Sequence, residues 1–130
     1  MVKSARVALK LEKNAVELLS EAIIKGLLEK KGKEIVLMDL RGLSGAVTDF
    51  FIVCQGDSST QVEALSRSVE EVVEIECGDF PAHIEGKNNA QWVLIDYITV
   101  IVHIFQPEQR DYYGIEKLWA DAEIRNISGN

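Results

Sequence analysis

Two kinds of hydrophobic spacing alternate along the chain, and the switches between them mark its elements. Ala15, Leu18, Leu19, Ala22, Ile23, Ile24, Leu27 and Leu28 recur at three- and four-residue steps, while Glu17, Glu21, Lys25 and Glu29 mark a wet side. That pattern predicts a helix capped by Asn14, running to about Lys31 and stopped by Gly32. The apolar runs at 35–38 and 50–54 are short, and glycines at 42 and 45 separate them, so both read as strands. Ser58 with Gln61 three residues on has the capping-box form. The helix it opens should bury Val62, Leu65, Val69, Val72 and Val73 and expose Glu63, Arg67, Glu70, Glu71 and Glu74.

Three strands should follow, at 81–85, 91–96 and 98–105, and then short helices through the aromatic C-terminal segment. The order α-β-β-α-β-β-β-α predicts a single α/β domain, a mixed five-stranded sheet flanked by helices. Residues 1–13 read as a flexible basic lead-in, 14–122 as the domain and 123–130 as a C-terminal tail. Strand alternation puts Trp92, Leu94 and Asp96 on one face, with Val93, Ile95 and Tyr97 opposite. Likewise Ile101, His103 and Phe105 oppose Val100, Val102 and Ile104. Trp92 and Trp119 can serve either as core residues or as anchors of an open face.

Charge narrows the partners. Fourteen Lys and Arg against 21 Asp and Glu give a net charge of −7. Residues 1–13 hold Lys3, Arg6, Lys10 and Lys13 against Glu12, a sum of +3, so the rest of the chain carries −10. Such a body repels a phosphate backbone, and little direct nucleic-acid contact is expected; a basic protein is the natural complement. Two separated cysteines give no disulfide framework and suit a reducing cytoplasm. No membrane span and no cleavage-site pattern is legible.

Catalytic chemistry finds little footing. The 56–59 turn (Gly56, Asp57, Ser58, Ser59) follows a strand and opens a helix, as a phosphate cradle does. Nucleotidyl transfer also needs two carboxylates at alternate positions of a neighbouring strand to hold magnesium. Glu74 and Glu76 sit at a helix end, Asp121 and Glu123 in a helical tail, and Asp96 stands alone. Cys54, Cys77, His83 and His103 show no ligand spacing, so no metal or other cofactor is expected. His83 reads as a hydrogen-bonded strand histidine. What remains is an aromatic strip, six of nine aromatics lying between Trp92 and Trp119, broken by single charges as a protein-binding surface is.

A series of motifs carries a resemblance. In order come Arg41-Gly42-Leu43-Ser44, Thr48-Asp49-Phe50-Phe51-Ile52-Val53, Gly56-Asp57-Ser58-Ser59-Thr60-Gln61-Val62 and Glu85-Gly86. Then follow Trp92-Val93-Leu94-Ile95-Asp96-Tyr97, Val102-His103-Ile104-Phe105, Arg110-Asp111-Tyr112-Tyr113 and Leu118-Trp119-Ala120-Asp121. Over residues 15–122 the chain resembles the Iojap family, also called ribosomal silencing factor RsfS (YbeB-like). The resemblance implies a nucleotidyltransferase-like fold without the catalytic carboxylates, and no enzymatic activity. It implies binding to the large ribosomal subunit through ribosomal protein number fourteen, which blocks joining of the small subunit and lowers translation under nutrient limitation. Organellar relatives imply a large-subunit assembly role as the alternative, and self-pairing through the first helix or the aromatic surface is a further implication. The family's interaction positions fall on Trp92, Asp96 and His103, with Tyr97, Arg110, Tyr112 and Tyr113 beside them. The chain departs where the family often has glycine and a second aspartate: here stand Ile98 and Thr99.

Overall fold

A computed structural model describes the backbone over residues 2–127 and side chains over 15–127. Helix α1 (Val2–Glu29) leads into strands β1 (Lys33–Asp39) and β2 (Phe50–Gln55), helix α2 (Ser59–Cys77), and strands β3 (His83–Glu85), β4 (Trp92–Asp96) and β5 (Val100–Phe105). Two short helices, α3 (Pro107–Tyr113) and α4 (Ile115–Leu118), precede a last strand, β6 (Glu123–Asn126). The helix thus begins at Val2, and Asn14 lies inside it instead of capping it. The side chains of the basic lead-in over 1–13 fall outside the described residues.

The mixed sheet has six strands in the order β3-β4-β5-β2-β1-β6, not the expected five. Among the described residues only β2 and β5 pair in parallel. The sixth strand takes part of the expected C-terminal tail: Glu123–Asn126 pairs antiparallel with β1, Leu37 opposite Arg125. Glu123 therefore stands on an edge strand, not in a helix. All four β6 side chains are exposed, so backbone pairing rather than burial holds the strand in place.

One sheet face carries α1 and α2. Leu19, Ile23 and Leu27 of α1 and Val62, Leu65, Val69 and Val73 of α2 close over Ile52, Cys54, Val93, Ile95, Val102 and Ile104. The two helices approach closely at Gly26, where a Cβ would stand 2.9 Å from the Val69 Cα; the Ser68 hydroxyl donates to the Gly26 carbonyl at 2.7 Å. Ser58 caps α2 as its sequence predicts, accepting from the Gln61 N–H at 3.1 Å. The opposite face has a smaller core of Met38, Leu40, Phe51, Val53 and Phe105, roofed by Ile115 and Ala122. Only short elements cover it, and the β4–β5 end stays half open.

Candidate protein-docking face

The open end is organised by strand alternation. Trp92, Leu94 and Asp96 project from β4 on the face away from the long helices, and all three are half-buried. His103 of β5 lies among them, paired across the ladder with Leu94. The Trp92 indole N–H donates to His103 Nδ1 at 3.1 Å. That bond fixes the neutral tautomer with its proton on Nε2, and Nε2 has no partner among the described residues. His103 is only 4% exposed, and burial pushes its pKa down to about 4. Phe51 meets the imidazole edge-on at 4.6 Å, and Phe105 stacks on the Trp92 indole at 4.9 Å. His103 cannot reach a partner from there; it holds the indole in place from behind.

Helix α3 supplies the other wall. Pro107 opens it at the position where a missing N–H is harmless, and Gly114 at φ 56° closes it, donating to the Arg110 carbonyl. The helix sets the Tyr113 ring 4.6 Å from Trp92, with Tyr112 packed edge-on against Tyr113 at 5.1 Å. Tyr112 is 83% exposed and Tyr113 46%. Arg110 has a different task. Its side chain is 12% exposed, grips Glu116 through Nε at 2.8 Å and Nη2 at 3.2 Å, and donates from Nη1 to the Glu34 carbonyl at 2.8 Å. It pins α3 and α4 to the start of β1, where Glu34 sits at φ 49° beside a break in the β1–β2 register.

Tyr97 does not join this face. Alternation turns it toward the long helices, where it is buried, its hydroxyl has no partner among the described residues and desolvation pushes its pKa up. Asp96 does face outward, and its Oδ1 accepts from the Ile98 N–H at 2.7 Å. Ile98 carries φ 75° inside a tight turn closed by the Thr99 N–H on the Tyr97 carbonyl at 2.9 Å. Here the departure from the family pattern becomes physical: a β-branched residue holds a backbone shape that suits glycine. Across the edge, His83 pairs with Asp96 in the β3–β4 ladder, and its Nε2 lies 3.0 Å from Glu85 Oε1. Glu85, opposite Leu94 in the same ladder, adds a second carboxylate to the face.

Trp119 is half-buried, edge-on to Phe51 at 6.2 Å, as part of the smaller core. The 56–59 turn is taken up by its own capping: the Asp57 N–H donates to Gln61 Oε1 at 2.8 Å, and the Asp57 carboxylate pairs with Lys33 at 2.5 Å. Among the described residues no three His, Cys, Asp or Glu side chains gather as metal ligands, and no helix is long and apolar enough to cross a membrane. The bracing contacts of Arg110 with Glu34 and Glu116 carry no sequence signal, because one of them goes to a backbone carbonyl.

A family model described as ribosomal silencing factor during starvation matches residues 12–129. The ribosomal silencing factor RsfS of Halalkalibacterium halodurans is 39% identical over 101 residues, 78% of this chain and 85% of that protein. A crystal structure of a Chromobacterium violaceum protein superposes with a TM-score of 0.76 at 36% identity, covering 87% of this chain and 92% of that one. A Mus musculus protein named for mitochondrial assembly of the ribosomal large subunit is 31% identical over 74 residues, 55% of this chain and 32% of its own length.

Proposed function

The chain belongs to the ribosomal silencing factor (RsfS) family, and on that premise we propose that its aromatic face docks on the large ribosomal subunit, through ribosomal protein number fourteen, and sterically blocks joining of the small subunit. Translation would fall accordingly when nutrients run short, in a cytoplasmic, non-enzymatic role. One observation carries this reading: a braced aromatic ledge, Trp92 against Tyr113, stands open beside Asp96 and Glu85. Rigid aromatics contribute contact area with little ordering entropy, and flanking carboxylates favour a basic surface. In this reading Trp92, Tyr112, Tyr113 and Asp96 touch the partner. His103, Arg110 and Tyr97 act from behind, through the backbone and rings they fix.

The layout, a capped helix opening after β2, is compatible with descent from a nucleotidyltransferase-like fold. A nucleotide-binding role for the 56–59 turn has less support, since the N–H groups of Asp57 and Gln61 already bond to side chains. The mouse relative's name favours a second reading, assembly of the large subunit, through the same surface. Binding of purified large subunits to the immobilised chain tests the docking claim. Trp92→Ala should weaken it by about 2 kcal/mol, roughly thirtyfold. Unchanged affinity in a variant that keeps its circular dichroism removes Trp92 as the anchor.

A further inference from the structure

Helices α1 and α2 cover the β4-β5-β2 side of the sheet, and β1 and β6 extend beyond them. Two contiguous clefts of about 450 and 580 Å³ lie between α1 and these outer strands, and they share Glu21, Ile24 and Arg125. Each falls in the size range of small-molecule sites. Ile24 and Leu37 form an apolar floor, continued by Phe50 in the first cleft and by Leu28 and Ile127 in the second. Arg125 pairs with Leu37 across the β1–β6 ladder, so its side chain leaves the edge strand on the same sheet face as that floor.

Some charged groups of the clefts are already paired and others are not. Arg41 is forked onto Asp39, Nε at 3.0 Å and Nη2 at 2.8 Å, with its guanidinium 4.7 Å from the centre of the Phe50 ring. Lys25 is held by Glu76. Arg125 and Glu21 line both clefts, yet among the described residues neither enters an ion pair. Ser20, one position before Glu21, lines the first cleft at 6% exposure, and its hydroxyl has no partner among the described residues. Burying a hydroxyl without a bond is costly, so a group that enters the cleft and supplies one is favoured.

We propose that the junction of the two clefts binds a free amino acid with an apolar side chain. The ligand carboxylate takes the parallel N–H groups of the Arg125 guanidinium. Its ammonium, with three donors, serves Glu21 and the Ser20 hydroxyl. Its side chain lies over Leu37 and Ile24. An amine alone leaves Arg125 unmatched, and a carboxylate alone is repelled by Glu17, Glu21 and Glu123 around the first cleft. A molecule carrying both charges satisfies the whole set, and an acidic side chain on it would meet the same repulsion. The floor residue Leu37 packs with the core under the long helices, while Trp92 packs with the smaller core on the other face. The site is therefore separate from the docking face.

Backbone-amide NMR shifts of the full chain, titrated with L-leucine, test the site. Leucine should give saturable shifts at millimolar concentration, confined to residues 17–28, 35–41 and 123–127. Isoamylamine, which lacks the carboxylate, and isocaproate, which lacks the ammonium, should each bind at least about tenfold more weakly. Arg125→Gln, Glu21→Gln and Ser20→Ala should each weaken leucine by roughly tenfold. Arg125 and Glu21 are exposed, so their variants keep the fold. Glu63→Gln, which removes the same charge from α2, should change nothing. Absence of saturable shifts, equal binding of isoamylamine, or unchanged affinity in Arg125→Gln or Glu21→Gln overturns the proposal. An equal loss in Glu63→Gln also overturns it, by reducing the effect to net charge. Leucine binding is read on the chain alone, so its failure and the failure of ribosomal docking are distinguishable.

Discussion

The Trp92 indole N–H donates to Nδ1 of a histidine, His103, that is buried and uncharged at neutral pH. A protonated imidazole cannot accept that bond, so acid should loosen the ledge and the fold together. The pKa of His103 in the folded chain, about 4, lies below its ordinary 6.5. The unfolded chain therefore takes up a proton first as pH falls, and stability contributed by the neutral ring is lost between pH 6.5 and 4. The full loss is about 3 kcal/mol. Asp39, whose carboxyl Arg41 holds below the usual range, adds its own loss only below about pH 4. Urea unfolding across this window should show a slope that His103→Gln removes, since glutamine still offers an acceptor but does not titrate. An identical slope in the variant would assign the acid sensitivity elsewhere.

Much of this face was legible in the sequence. Two-residue alternation put Trp92, Leu94 and Asp96 together, and the structure keeps them so. The same alternation already turned Tyr97 inward, yet the family pattern grouped it with the interaction positions. What alternation cannot say is how deep a face lies. His103 shares the Trp92 side but sits beneath it, because Phe51 and Phe105 close around it. Strand β6 was invisible for another reason: Glu123, Ile124, Arg125 and Asn126 show no buried period, since only backbone pairing with β1 defines it.

The turn at Ile98 stores strain. A β-branched residue at φ 75° costs on the order of 1–2 kcal/mol, and its 68% exposed side chain returns little of that through packing. Ile98→Gly should raise stability by about 1 kcal/mol, even after the greater freedom glycine gives the unfolded chain. Thermal unfolding reads this directly as a Tm several degrees higher. A lower Tm would mean that the exposed Ile98 side chain makes contacts worth more than the strain.

Arg110 should matter without touching the partner. Arg110→Ala removes a forked ion pair and a bond to the Glu34 carbonyl, which together should cost about 1–3 kcal/mol of stability. Large-subunit affinity should fall as well, because Tyr112 and Tyr113 ride on the helix that Arg110 pins. Arg110→Lys keeps the charge but loses the fork, and should recover less than half of either loss. Full recovery by lysine would show that charge alone is used there.

The central claim is that this face prevents the two ribosomal subunits from joining. Purified small and large subunits, mixed with and without the chain and separated on a sucrose gradient, measure it most directly. The account predicts that the chain shrinks the joined-ribosome peak and travels with the large subunit, and that Trp92→Ala does neither. Joined ribosomes forming equally well with and without the chain would contradict it.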